Sequence, residues 1–163
     1  MNLEKTLEAL RNSHVEFVLI GGAAMAVQGS AYVTRDLDFC YARTGKNMEQ
    51  LAAALSPFHV KLRGAPGNLP FRFDAETIAL GLNFTLLTDL GEIDLLGEVV
   101  GLGGFEKVRA ESEKLEIYGT ECLVLSLSGL IKSKRAAGRP RDLMVLPELE
   151  ALKELRERMG KRE

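Results

Sequence analysis

The sequence predicts a single α/β domain built on a mixed β-sheet flanked by helices and closed by a C-terminal helical pair, and three observations carry that expectation. Short β-branched and aromatic runs (VEFVLI, RDLDFCYA, EIDLLGEV, KLEIY, ECLVL) are interspersed with segments of helical periodicity (LEKTLEALRN, NMEQLAAALSPF), the signature of strands and helices sharing one core. Two strand-like runs flank Asp89-Leu90-Gly91, a hairpin turn that makes part of the sheet antiparallel. From Ser126 the strand signal stops and two helical segments follow. We expect a core over residues 1–125 with helices over residues 126–163 packed on it as one compact unit. At 163 residues such a chain buries a core without disulfides or structural metal.

The elements follow in order. LEKTLEALRN is a helix and VEFVLI a buried strand, broken by Gly21-Gly22. AAMAVQ is a short helix that Gly29 and Ser30 end. RDLDFCYA is the next strand, with Leu37 and Phe39 on one face and Asp36, Asp38 and Cys40 on the other. NMEQLAAALSPF is a helix stopped near Ser56-Pro57. Residues 60–75, with Gly64, Pro66, Gly67 and Pro70, read as a loop and a candidate for mobility. ETIALGLNFTLLT and EIDLLGEV read as two strands, FEKVRAES as a short helix, and KLEIY and ECLVL as strands. LSLSGLIKSKRAA is a helix ended by Gly138, and PRDLMVLPELEALKELRERM a second, opened by Pro140 and expected to kink at Pro147.

Composition narrows the function classes. The chain is 46% hydrophobic and 27% charged, an ordinary globular balance. The N-terminal segment has acidic residues and helical periodicity instead of a basic stretch before an apolar one, and no run approaches a membrane span, so a cytoplasmic protein without a membrane partner is expected. Cys40 and Cys122 sit in apolar runs and read as buried free thiols, and two histidines are too few for a histidine-rich metal site. The net charge of −2 conceals an asymmetry: residues 1–125 carry 11 basic and 17 acidic side chains, residues 126–163 carry 10 and 6. A basic tail suits a polyanionic ligand, but the excess is too small to argue for duplex DNA. GLGGF at 101–105 lacks the last glycine of a dinucleotide loop, and no Gly-x-Ser-x-Gly accompanies either histidine.

The chemistry concentrates around Asp36 and Asp38. Two apart on a strand, they project from one face, and a half-buried pair of carboxylates must take up a proton or hold a cation. Glu92 and Asp94 repeat the spacing; if their strand lies beside the first, a third carboxylate converges, and three hard oxygen donors suit Mg²⁺ with substrate phosphates completing its shell. Alternation by itself is equally satisfied by a solvated strand face. Gly21 and Gly22, between strand and helix, add bare backbone that a phosphate can approach. Lys134 lies three after Ile131 and four after Leu130 on the inward helix face, so it either snorkels to water or reaches a triphosphate or the carboxylates. Lys132, Arg135 and Arg139 read as solvated flank, and Asp142, in the first turn of the last helix, as a dipole-favoured partner for one of these cations. Phe71 and Phe73 are candidates for base stacking.

The series strand, Gly21-Gly22, helix, Gly29-Ser30, VTRDLDF, with 13 residues between Gly22 and Asp36, resembles the signature of the nucleotidyltransferase superfamily, the DNA polymerase beta-like fold. GEIDLLGEV is similar to its third-carboxylate strand, and LSLSGLIKSKRAAGRPRDL to the lysine-bearing helix of small prokaryotic members related to AbiEii-type toxins and minimal nucleotidyltransferases. The resemblance covers roughly residues 15–150. It implies Asp36, Asp38 and Asp94 as catalytic ligands of Mg²⁺ or Mn²⁺, with Asp94 also activating the incoming hydroxyl, and Gly21, Gly22 and Lys134 as contacts of the nucleotide phosphates. The implied activity moves a nucleoside monophosphate from an NTP to a hydroxyl on RNA or protein, as the toxin of a toxin–antitoxin pair with its antitoxin as partner. The alternative is an inactive nucleotide-sensing or protein-binding module on the same fold. Tyr32 stands where many members carry an arginine, which leaves that phosphate contact unfilled.

Overall fold

The computed structural model describes residues 1–162. The chain runs α1 (Leu3–Asn12), β1 (Phe17–Ile20), α2 (Gly21–Val27), β2 (Asp36–Tyr41), α3 (Gly45–Leu55), a 3₁₀ turn (Ser56–Phe58), β3 (Lys61–Leu62), α4 (Ala75–Leu80), β4 (Asn83–Thr88) and β5 (Gly91–Leu96). It continues through β6 (Glu98–Val99), β7 (Gly103–Gly104), α5 (Phe105–Ala110), β8 (Ser112–Ile117), β9 (Thr120–Leu125), α6 (Leu127–Ala137) and α7 (Pro140–Gly160). Seven strands form one mixed sheet in the order β3-β4-β5-β2-β1-β9-β8, and β6 and β7 make a small separate ladder. The neighbours β2 and β5 are parallel, as are β1 and β9, while β1–β2, β3–β4, β4–β5 and β8–β9 are antiparallel.

All four residues of β1 are buried, as a continuous apolar run in the middle of a sheet must be. Phe17 meets Phe39 edge to face, their ring centroids 5.5 Å apart. Local caps start three of the helices: Asn2, Thr44 and Ser126 each accept from a backbone N–H of the first turn, at Lys5, Asn47 and Gly129. The last two helices pack on each other, and Leu130, Ile131 and Leu149 join the same apolar cluster as the strands. Gly138, at φ +65°, makes the left-handed turn between them. The helix α7 runs through Pro147, and it begins at Pro140.

Three segments differ from the sequence expectation, the first being EIDLLGEV, which Gly97 divides into β5 of the main sheet and β6 of the small ladder. ETIALGLNFTLLT is not one strand: Ala75–Leu80 is the helix α4, and the strand begins at Asn83. Asp74 caps this helix by accepting from Thr77 N–H at 2.8 Å, and Ile78 is fully buried beneath it. Gly81 ends the helix where any Cβ would strike the Phe84 ring. The Arg43 guanidinium then covers the carbonyls of Ile78 and Ala79 at 3.4 and 3.2 Å, satisfying groups that a helix C-terminus leaves open. The segment 60–75 is not all loop either, because Lys61 and Leu62 pair with Leu87 and Leu86 at the sheet edge.

One buried amide ties β2, which carries Asp36 and Asp38, to the approach to β1. Asn47, 1% exposed, accepts from Glu16 N–H at 2.7 Å and donates to the carbonyls of Glu16 and Ala42 at 3.0 and 2.8 Å. It therefore ties the approach to β1, the exit of β2 and the start of α3. Asn47→Ala is expected to cost about 2–4 kcal/mol in denaturant unfolding, since three backbone groups lose a buried partner. Cys40 and Cys122 are both free and buried; burial pushes their thiols up to about 12 and about 11, so neither forms a reactive thiolate near neutrality.

Candidate active site

The parallel register of β2 and β5 places Asp36 opposite Glu92 and Asp38 opposite Asp94. Because strand side chains alternate, Asp36, Asp38 and Asp94 share one face, and one oxygen from each lies within 4.8 Å of the others. Thr34 orients the first of them, its hydroxyl donating to Asp36 Oδ1 at 2.9 Å. Glu92 is further out, with its side chain 42% exposed.

Gly21 and Gly22 are not a turn ahead of the helix but its first two residues, so β1 passes into α2 without a connecting loop. Gly21 takes φ +63°, and a Cβ there would lie 2.7 Å from Asp38 Cγ and run into Oδ2. A Cβ on Gly22 would meet Thr34 Cβ at 2.6 Å and Tyr32 Cε1 at 2.9 Å. The two glycines thus let the backbone lie directly against Asp38, Thr34 and Tyr32.

Burial first, then the neighbouring charges of Asp36 and Asp94, push the Asp38 carboxyl up to about 7. Burial also raises Asp94, against the opposing pull of the Arg63 guanidinium bonded to it. The cluster therefore holds more negative charge than its surroundings compensate. Three oxygen donors this close, with one carboxylate held reluctant to ionise, fit a hard divalent cation, whose charge would relieve the repulsion.

These groups line a cavity of about 400 Å³. It is lined by Gly21, Gly22, Asp36, Asp38 and Asp94, by Lys134 of α6, by Arg139 and Arg141 at the start of α7, and by Asn83, Leu96 and Val100. Lys134 bonds Asp142 Oδ1 at 3.1 Å, and Arg139 Nε bonds Asp142 Oδ2 at 2.5 Å. Asp142, 1% exposed, resists ionisation through its burial, but the Arg139 and Lys134 hydrogen bonds outweigh that and hold it below the usual carboxylate range. Lys134, its side chain 20% exposed, thus keeps contact with water and does not touch the acid cluster directly; it lines the cavity paired with Asp142, near enough to favour the charged form of Asp38.

The six residues singled out from sequence all border one cavity. Three further assignments change. Arg139 is solvated, its side chain 54% exposed, but also lines the cavity, whereas Lys132 and Arg135 pair at the surface with Glu111 and Glu150. Phe73 is buried in the core and Phe71 is partly buried against it, and neither lines the cavity that holds the acids. Arg63 was missed: its guanidinium bonds Asp94 and lies 3.5 Å from Glu92 and 3.8 Å from Asp36. The only signal for it was alternation with Lys61, two residues before it in the same short run.

No described helix is long and apolar enough to cross a membrane. No family model and no curated protein matches the chain. Among solved structures, a Thermotoga maritima protein described provisionally as a nucleotidyltransferase aligns over 98% of this chain and 91% of its own, with a TM-score of 0.52 at 18% identity. That likeness shows shared architecture: the chain has a nucleotidyltransferase fold, a seven-stranded mixed sheet flanked by helices and followed by a C-terminal helical pair, and bears on it an acidic triad that could take a metal ion.

Proposed function

We propose that the protein transfers a nucleoside monophosphate from an NTP to a hydroxyl acceptor on RNA or protein, releasing pyrophosphate. The observation that carries this reading is the convergence of Asp36, Asp38 and Asp94 in a cavity that Lys134, Arg139 and Arg141 also line. Asp36, Asp38 and Asp94 would hold Mg²⁺ or Mn²⁺, which supplies charge neutralisation for the triphosphate and a lowered pKa for the attacking hydroxyl.

The chain's own groups divide the remaining work. Lys134 and Arg139, both lining the cavity, are the cations for the phosphates, and Asp142 holds a hydrogen bond to each. Gly21 and Gly22 present backbone without side chains, leaving room for phosphate oxygens beside Asp38. Asp94, at the edge of the cluster nearest β4, is the carboxylate placed to accept the proton of an approaching hydroxyl. Arg139, just ahead of α7, lines the same cavity as Tyr32, so it can supply the cation absent from position 32.

The test is to incubate the purified protein with each labelled NTP, Mg²⁺ and total cellular RNA or protein. A labelled acceptor that disappears with Asp36→Asn and Asp38→Asn is the expected result; equal labelling by all three proteins would remove the enzyme reading. Lys134→Ala is expected to weaken triphosphate affinity about tenfold or more while leaving Mn²⁺ affinity within about twofold, because the lysine touches none of the three acids. Calorimetric titration with each ligand separates the two effects. A toxin role predicts growth arrest on expression that the same aspartate substitutions relieve.

A further inference from the structure

Arg63 is the one cation in direct contact with the acid cluster among the described residues. Its backbone N–H donates to Thr85 O at 3.0 Å, extending the β3 pairing by one residue. Thr85 lies opposite Asp94, and Asp94 opposite Asp38, so Arg63, Thr85, Asp94 and Asp38 form a row across four strands. From the edge of that row the guanidinium reaches back over Thr85. One terminal nitrogen bonds Asp94, and the other lies between Glu92 and Asp36.

The contact is incompletely satisfied. Arg63 Nε is buried and has no hydrogen-bond partner, although a guanidinium placed to make the best single ion pair uses Nε and a terminal nitrogen together on one carboxylate. Here the fork is spread over three carboxylates, which neutralises part of the cluster and leaves one donor unpaired. The chain just beyond can move without disturbing the core: Gly64 and Gly67 border open space, and residues 64 and 66–70 are exposed.

We propose that Arg63 is a built-in competitor of the divalent cation, holding Asp36 and Asp94 together in the metal-free protein and withdrawing when the ion binds. A doubly charged ion among the same oxygens interacts with each about twice as strongly as a guanidinium at equal distance. Binding is therefore possible, but it is weakened by the ion pairs that must first break. The inference rests on the reading that Asp36 and Asp94 hold a divalent ion.

The experiment is a Mn²⁺ titration of the nucleotide-free protein, followed by melting in EDTA and in excess Mn²⁺, for wild type, Arg63→Gln, Arg63→Lys and Lys61→Gln. Arg63→Gln should bind Mn²⁺ about tenfold or more tightly than wild type, since loss of a charge-assisted contact is removed from the cost of binding. It should also melt below wild type in EDTA, and Mn²⁺ should close that gap. Arg63→Lys should tighten binding by less, and it decides the matter if the glutamine variant does not fold. Lys61→Gln, two residues before Arg63 and with no carboxylate contact among the described residues, should match wild type. Wild-type or weaker affinity in the Arg63 variants, or equal tightening in Lys61→Gln, overturns the inference while metal binding itself stands. Absence of Mn²⁺ binding in every protein overturns the inference together with the metal reading beneath it.

Discussion

Asp38→Asn is expected to remove metal-dependent transfer by about 10²–10³-fold or more and, in EDTA above pH 7, to make the protein more stable by about 1–3 kcal/mol. Both effects have one origin. The Asp38 carboxyl is pushed up to about 7 by burial and by Asp36 and Asp94, so at high pH the folded metal-free chain carries a charge it accommodates poorly. The unfolded chain ionises this group near 3.8, its ordinary value, and the folded chain near 7. Between those values the folded state binds the extra proton, so wild-type stability in EDTA should fall as pH rises from about 4 to about 7 and then level. The full drop from this group is on the order of 4 kcal/mol. The raised Asp94 adds in the same direction. Asp38→Asn removes most of that slope. Saturating Mn²⁺ should oppose it in wild type, because the ion favours the ionised carboxylates. Urea unfolding across this pH range, with and without metal, is the measurement; a flat wild-type profile in EDTA would contradict the burial and repulsion assigned to Asp38.

Gly21→Ala should be the most damaging single-methyl change, costing about 2–4 kcal/mol in stability and reducing transfer to the level of Asp38→Asn. The left-handed backbone at φ +63° accounts for only part of this. The larger part is steric, since the new Cβ falls on the Asp38 carboxylate and must drive it out of the cluster. Gly64→Ala is the matched control: it too has positive φ, at +74°, but its Cβ would meet nothing within 4 Å. It should lose about 1 kcal/mol and retain transfer. Similar losses at both positions would mean that backbone strain, and not proximity to Asp38, explains the glycine.

The residues that announced the site were those whose pattern is local. Asp36 and Asp38 lie two apart in an alternating run, Gly21-Gly22 interrupts an apolar strand, and Lys134 sits at helical spacing from Leu130 and Ile131; each is legible within a few residues. The mixed sheet and its C-terminal helices were legible for the same reason, because strand and helix periods differ. Short or hybrid segments were not. A two-residue edge strand at Lys61–Leu62 has no period to recognise, so Arg63 passed as part of a glycine- and proline-rich loop. ETIAL joins a true strand with only Gly81 as punctuation, and the helix depends on the Asp74 cap and the burial of Ile78.

By itself, the sequence determined which side chains were available and which face of its own element each would occupy, since covalent geometry sets the alternation of a strand and the turn of a helix. Only the tertiary structure decided which of those faces meet. The parallel pairing of β2 with β5 puts Asp94 against Asp38 across more than fifty residues of chain, the edge pairing of β3 brings Arg63 among the acids, and the turn at Gly138 hands Lys134 to Asp142 in preference to the cluster. Those outcomes depend on register and packing between distant segments, where the energy comes from burying both partners at once and no local pattern records the choice.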